Sequence, residues 1–257
     1  MIHPTAVVDP KAEIGEGVEI GPYSIIEKEA VVGQGTWIGP HVFIGKNTQI
    51  GKGCQIFQFA SIGEGPQALA YKGEKTFLLL GDRNVIREFV TLNRGTVQGG
   101  GKTVIGNGNL FMAYSHVGHD CTIGNQVILA NSAALAGHIV LEDHATIGGL
   151  SAVHQFCRVG THAFVSGLTG VAQDLPPYML ASGNRAQLFG LNTVGLKRFK
   201  FSETTVRALK KAYRILFRSG LTLEKALSQI KGDEIAMVPE VQHLVQFIQE
   251  SKRGICR

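Results

Sequence analysis

Apolar residues recur every six positions along most of the chain. Counting from Ile2, the frame falls on Val8, Ile14, Ile20, Ile26, Val32, Ile38, Ile44, Ile50, Ile56 and Ile62, every one of them Ile or Val. Glycine follows at 15, 21, 33, 39, 45, 51 and 63, and a small or β-branched residue stands two positions before each aliphatic from 12 to 60. The frame returns at Leu80, Ile86 and Leu92, then holds in steps of six from Ile105 through Phe111, Val117 and Ile123 to Val171. Small residue, outward residue, aliphatic is the alternation of a strand, and the glycine or polar residue after it reads as a corner. Three such segments close a coil of 18 residues, and stacked coils pair as parallel strands. The pattern therefore predicts a parallel β-helix of between eight and nine coils. Residues 64–79 (EGPQALAYKGEKTFLL) and 93–103 (NRGTVQGGGKT) interrupt it, and a solenoid projects such insertions from its side, often over a binding site.

After about residue 174 the period disappears, with Pro176-Pro177 at the exit. Ser202 is placed as the N-cap of a helix whose apolar stripe is Val206, Leu209, Tyr213, Leu216 and Phe217, stopping at Gly220. Thr222 caps a second helix ending near Gly232, and Pro239 opens a third with Val241, Leu244, Val245 and Ile248 on one face. The expected organisation is a β-helix over 1–190 and a helical domain over 191–257.

Composition follows from this architecture. Thirty-three glycines in 257 residues serve corners, and only 7% aromatics suits a narrow prism. There is no Gly-X-Y period and no run of 18 apolar residues, and Met1-Ile2-His3-Pro4 does not begin a signal peptide, so collagen, membrane insertion and export are not expected. Cys54, Cys121, Cys157 and Cys256 form no CxxC pair, which suggests neither zinc knuckle nor disulfide framework and fits a cytoplasmic location. Cys121 and Cys157 fall on inward positions and read as core filler. The net charge of +5 divides unevenly: residues 191–257 carry 13 Lys+Arg against 6 Asp+Glu, while residues 1–190 carry 12 against 14. The basic helices have no nucleic-acid motif or aromatic platform, and an acidic protein partner is equally physical.

The 18-residue coil also stacks polar residues about 4.8 Å apart. His119, Gly137 and Gln155 form one column, Asp120 and His138 begin the next, and His116 and His154 lie nearby. Three chemistries fit this cluster. His119 is a candidate general base, with Asp120 fixing its tautomer and the Gly137 N–H facing an oxyanion. Several histidines could instead hold zinc as in β-helical carbonic anhydrases, although spacings of 35 (His119 to His154) and 38 (His116 to His154) miss the 36 of two coils. The histidines could also bind an anion and nothing more. No GxSxG elbow supports a serine nucleophile.

Longer motifs are more specific. HVGHDCTIGN (116–125), ILANSAALAGH (128–138), AVHQF (152–156), GVAQDLPPY (170–178) and GLNTVGLKR (190–198) closely resemble the UDP-N-acetylglucosamine O-acyltransferases of lipid A biosynthesis, with GDRNVIRE (81–88) and RGTVQGGG (94–101) adding to the match. The resemblance spans the chain. It implies a left-handed β-helix and a homotrimer that moves a 3-hydroxyacyl chain from acyl carrier protein to the 3-position of UDP-N-acetylglucosamine, without metal or cofactor. By the same resemblance His119 is the base, Asp120 its partner and Gly137 the oxyanion donor. His116, His138, His154, Gln155 and Gln67 line a cleft between subunits, Asn192 and Arg198 lie near the nucleotide, and Gly167 ends the acyl groove. The acidic carrier then accounts for the basic helices.

The chain departs from the family pattern in places. Gln67-Ala68-Leu69-Ala70-Tyr71 stands where Gln-Asp-Leu-Lys-Tyr is usual, and Val194 and Phe199 replace a common glutamate and a second arginine. This thins the polar grip on the acceptor and raises a 3-amino sugar nucleotide as an alternative acceptor.

Overall fold

The computed structural model describes residues 1–257. Two-residue strands repeat with the predicted period and assemble into three parallel sheets. Sheet one has nine strands, from Val7–Val8 to Gly170–Val171. Sheet two has eight, from Glu13–Ile14 to Arg158–Val159, and sheet three begins at Glu19–Ile20. Residues 18 apart are partners, as in Val7 with Ile25 and His116 with Ala134. The predicted aliphatics fill the prism: Ile38, Ile56, Ile62, Ile86, Leu92, Val117 and Leu135 are wholly inaccessible. Truncating one of these to Ala costs ~2–5 kcal/mol, since a narrow prism cannot collapse onto the void.

The small inward positions carry a second pattern. The Ser24 hydroxyl donates to the Gly39 carbonyl at 2.7 Å and Thr36 to the Gly51 carbonyl at 3.0 Å, while the Cys121 thiol points to the Ala136 carbonyl at 3.2 Å. Each ties one coil to the next. All four cysteines are buried free thiols, and burial pushes Cys121 up to about 12, which makes it inert.

The corners differ from the reading given by sequence. Glycine directly after the aliphatic is not the turning residue. It is there because coils approach closely, and a Cβ on Gly21 would lie 2.7 Å from the backbone carbon of Gly39. The left-handed conformation falls three residues after the aliphatic, on mostly non-glycine residues such as His41, Phe59, Asp120, His138, His144 and Phe156, with φ between 56° and 64°. Residues in these columns stack coil upon coil.

The two insertions are shorter than expected, because Ser61–Glu64, Phe77–Leu80, Thr91–Asn93 and Lys102–Ile105 are strands. Both leave the prism at the edge from sheet one to sheet two, called the first edge below. Arg94, buried at the root of the second insertion, donates to the Gly63 carbonyl and to the Tyr71 hydroxyl, locking the two insertions together.

The solenoid ends in an antiparallel pair, Met179–Ser182 with Gln187–Leu191, that the hexad pattern did not reveal. Four helices follow: α1 (Thr193–Arg198), α2 (Glu203–Phe217), α3 (Leu223–Lys231) and α4 (Pro239–Gln249). Ser202 and Thr222 cap α2 and α3 as predicted, accepting from the N–H of Thr205 and Lys225. Helix α1 was not predicted, and its cap is Asn192, which accepts from the Gly195 N–H at 3.0 Å. No helix is long and apolar enough to cross a membrane.

Candidate active site

Sheet-one strand His116–Val117 delivers the chain to the first edge, where Val117 buries inward and the next residues turn the corner. Asp120 takes the left-handed position (φ 61°), which turns its side chain back beside His119. The imidazole Nδ1 of His119 donates to Asp120 Oδ2 at 2.7 Å. That carboxylate is fully buried and held from the other side by the second insertion, with the Thr96 N–H donating to Oδ1 at 2.7 Å and the Thr96 hydroxyl to Oδ2 at 2.6 Å. The Asp120 N–H in turn donates to Thr103 Oγ1 at 2.9 Å. Thr96 is a site residue that sequence reasoning missed, since nothing in its spacing shows that the glycine-rich insertion folds back to this corner. Gly99 gives the loop its fit: a Cβ there would fall 2.0 Å from Asp120 Cγ.

One coil above, Gly137 faces the imidazole. A Cβ on it would sit 2.6 Å from His119 Cε1 and 2.8 Å from Nε2, so only glycine leaves room for the ring. No group within the chain accepts a hydrogen bond from the Gly137 N–H, and the same corner position is unpaired at His119 and Gln155. The free donor is thus a property of the corner, and Gly137 is the one beside the His119 ring.

His138 continues the column, its ring stacked on Phe156 at 4.5 Å and its Nε2 3.6 Å from Asp120 Oδ2. Burial pushes its imidazole below the ordinary range, opposed by Asp120 and reinforced by His119. His116 accepts or donates through Nδ1 to the Thr91 hydroxyl at 2.7 Å, and burial, with His119 adding, lowers it too. Both rings are therefore neutral near pH 7, which makes them hydrogen-bonding groups and poor counter-ions. This weakens the reading of the cluster as an anion site alone. His154 and Gln155 are exposed on the next coil.

The ligating atoms of His119, Asp120 and His138 lie within 4.8 Å of one another, which is a donor set a metal could use. Its chemistry favours a proton. Asp120 already accepts three short hydrogen bonds, and a cation between His119 and Asp120 would have to open their 2.7 Å contact. His154 does not join the trio, its Nδ1 lying 3.2 Å from the Gln155 carbonyl.

The remaining expected site residues occupy other places on the prism. Gln67 is exposed on the first insertion, along the same edge as His119. Asn192 sits at the edge from sheet two to sheet three, donating to the His162 carbonyl at 3.0 Å, and Arg198 is exposed at the end of α1. Phe199, where the family carries an arginine, packs edge-on against the stacked rings of His144 (4.8 Å) and His162 (4.6 Å). Gly167 lies at the edge from sheet three back to sheet one. A single chain thus gathers His116, His119, Asp120, Gly137, His138, His154 and Gln155, and leaves Asn192, Arg198 and Gly167 on the two other edges.

Comparisons with known proteins agree with this geometry. Residues 174–256 match the second domain of the UDP-N-acetylglucosamine O-acyltransferases, and residues 102–137 match the bacterial transferase hexapeptide repeat. The acyl-[acyl-carrier-protein]–UDP-N-acetylglucosamine O-acyltransferase of Janthinobacterium sp. is 55% identical, with 100% of this chain and 99% of the relative aligned. The enzyme of the same name from Anaeromyxobacter dehalogenans is 56% identical over the same shares. Among solved structures, LpxA from Acinetobacter baumannii superposes with a TM-score of 0.97 at 45% identity, covering 100% and 99% of the two chains. The Arabidopsis UDP-N-acetylglucosamine acyltransferase does so with 0.90 at 39% identity, over the full length of both. Matched along its whole length by curated relatives at 55–56% identity and by solved structures of the same solenoid and helical end, the chain belongs to the acyl-[acyl-carrier-protein]–UDP-N-acetylglucosamine O-acyltransferase family.

Proposed function

We infer that this enzyme transfers a 3-hydroxyacyl chain from acyl carrier protein to the 3-hydroxyl of UDP-N-acetylglucosamine, the first step of lipid A biosynthesis. The observation that carries the mechanism is the 2.7 Å contact of His119 Nδ1 with a carboxylate itself clamped by Thr96. It fixes the proton on Nδ1 and leaves Nε2 free as a base. In the reaction Nε2 takes the proton of the sugar 3-hydroxyl as its oxygen attacks the thioester carbonyl. The carbonyl electron pair moves onto oxygen, and the unpaired Gly137 N–H, one coil from the imidazole, is the donor assigned to stabilise it. Collapse breaks the carbon–sulfur bond, and the imidazolium returns its proton to the departing thiolate. Proton, acyl group and electron pair are all accounted for by His119 and the two substrates.

In this reading the enzyme is a cytoplasmic homotrimer, and the cleft forms where the first edge of one subunit meets the Asn192 and Arg198 edge of its neighbour. The separation of those residues within one chain supports it. So does the third edge, where Phe89, Tyr114, Leu150 and Leu168 form an exposed apolar line. The basic face of α2, with Arg207, Lys210, Arg214 and its C-cap Arg218, suits an acidic carrier. A second acceptor, the 3-amino sugar nucleotide, is favoured by Ala68, Ala70, Val194 and the apolar Phe199.

The test is transfer from 3-hydroxyacyl carrier protein to each sugar nucleotide, with and without chelator. Preference for the hydroxyl sugar, insensitive to chelator, is expected; preference for the amine would move the acceptor, and loss with chelator would revive the metal reading. His119→Ala is expected to lower kcat by ~10²–10⁴ while leaving the oligomer intact. Near-normal turnover in that variant removes His119 as the base.

A further inference from the structure

The loop of the first insertion, between strands Ser61–Glu64 and Phe77–Leu80, is held to the rest of the chain by few polar ties. Its Gly65 carbonyl accepts from Asn93 Nδ2 at 2.9 Å, and the Tyr71 hydroxyl accepts from Arg94 Nη2 at 3.2 Å while donating to the Glu74 carbonyl at 3.0 Å. A third tie, Lys75 with Glu29 at 2.9 Å, joins two exposed groups and holds little. Asn93 and Arg94 are both buried, and both stand at the root of the second insertion. Between the two strong ties the loop makes a turn, closed by the Tyr71 N–H on the Ala68 carbonyl at 3.0 Å. It carries Gln67 outward directly after the buried Pro66. With Ala68, Leu69 and Ala70 next, Gln67 is the one polar side chain that the turn presents.

Arg94 is a costly residue for this place. It is 3% exposed and has no carboxylate partner, and its guanidinium donates to the Lys46 and Gly63 carbonyls and the Tyr71 hydroxyl. A charge buried against neutral oxygens gains little energy, and what it supplies is geometry, a planar fork that reaches separate segments of chain at once. Two residues further on, Thr96 clamps the Asp120 carboxylate at 2.7 and 2.6 Å. Gly95 between them is closely packed, since a Cβ there would lie 2.3 Å from the Lys102 backbone nitrogen. One short segment, Arg94-Gly95-Thr96, thus touches the loop of Gln67 at one end and the carboxylate partner of His119 at the other.

We propose that Arg94 and Tyr71 are positioning residues, which set Gln67 at a fixed place relative to His119 and so seat the sugar acceptor against the base. The proposal rests on the acyl-transfer reading and adds to it the pair that orients the acceptor loop. Tyr71→Phe tests it, because it keeps the ring that packs 3.3 Å from a Cβ position on Gly65 and removes the hydroxyl alone. The KM for UDP-N-acetylglucosamine is expected to rise about fivefold or more, as for a lost hydrogen bond to a charged group. The kcat and the donor KM should stay within about twofold, because the contacts of Thr96, Asp120 and His119 are untouched. In a Gln67→Ala background the same substitution should add nothing, since the two residues act as one unit. Arg94→Lys keeps the charge and loses the fork, so it should reproduce the acceptor effect. If that variant fails to fold, Tyr71→Phe decides alone. Hydrogen exchange gives a readout independent of turnover: amides of residues 65–75 should exchange faster in Tyr71→Phe, and those of 116–123 at the wild-type rate. An unchanged acceptor KM overturns the proposal, as do additive losses in the Tyr71→Phe/Gln67→Ala pair. A kcat that falls together with the rise in KM also overturns it, marking a general loosening of the site. A wild type that transfers no acyl group would instead sink the functional reading, while the exchange comparison would still judge whether Tyr71 holds the loop.

Discussion

At the scale of single residues, Asp120 shows how much a corner position determines. Its left-handed backbone aims the carboxylate at His119, and Thr96 from the second insertion fixes it with two hydrogen bonds. Replacing Thr96 with Val keeps the shape and the N–H contact but removes the hydroxyl. With one oxygen of a buried carboxylate less well satisfied, we expect kcat to fall by about tenfold with little change in either KM, as for a lost hydrogen bond to a charged group. Thr96→Ser should recover most of the activity. A Thr96→Val enzyme as fast as the wild type would mean that Asp120 is held well enough by His119 and the backbone alone. Gly137 and Gly99 are constrained by neighbouring atoms and not by φ, since each abuts a functional side chain at less than 3 Å from where a Cβ would be.

At the scale of elements, two histidines tie the helices to the solenoid with opposite consequences for stability. His243 of α4 contacts Glu142 at 2.7 Å, and this hydrogen bond raises its pKa against the opposing effect of burial. Its stabilising contribution is complete below the unfolded value of 6.5 and is lost as pH rises through the raised value. Because the ring is 42% exposed, the contribution is discounted to under ~1 kcal/mol. His162 is pushed down to about 4, chiefly by burial among Phe199, Phe201 and Tyr178, with His144 adding and Asp143 opposing. It stays neutral when folded, so stability falls as pH drops from about 6.5 toward about 4, by at most ~3 kcal/mol. Melting temperature measured from pH 4 to 9 should fall away on both sides. His162→Phe should flatten the acid side relative to wild type, and His243→Gln the alkaline side. An acid limb identical in wild type and His162→Phe would contradict this account.

The same elements show what a sequence can and cannot disclose. The hexad was legible because every inward position is restricted to a few residue types, and caps Ser202 and Thr222 because capping is local. The His119 and Asp120 corner was legible as a column from the 18-residue count. The role of Thr96, the strand-like tail at Ile255 and the hairpin ending at Leu191 were not, because each depends on a chain segment returning to a distant coil. The turning residue was misplaced for a related reason: glycine marks tight packing between coils, while the turn itself tolerates Asp, His or Phe.

At the scale of the whole molecule, the three edges of the prism carry different roles. The first edge holds the His119 corner and both insertions, the second binds α1 through Asn192, and the third bears the stack Tyr23, His41, Phe59, Phe89 and Tyr114, with ring centroids 4.8–5.2 Å apart. Leu150 and Leu168 prolong this line at 66% and 72% exposure, which an isolated chain would leave in water. In the proposed trimer, Leu150→Glu is expected to shift the protein to monomer in light scattering and to abolish transfer, because that reading builds the cleft from two subunits. A monomeric variant that retained full activity would show that one chain suffices.

The insertions also bear on how such a chain tolerates change in length. From Ile62 to Leu80 the count is 18 residues where one hexad needs six, and from Leu92 to Ile105 it is 13, yet the following strands rejoin in phase. Each excursion leaves and re-enters at one corner, so its length does not affect the winding. Anywhere else, a single added residue would turn every later core aliphatic outward, and an added hexad would carry His119 to a different side of the molecule with all strands intact. Lineages diverging from this protein are therefore free to lengthen or shorten these two loops, and at the remaining corners only whole coils can be gained or lost.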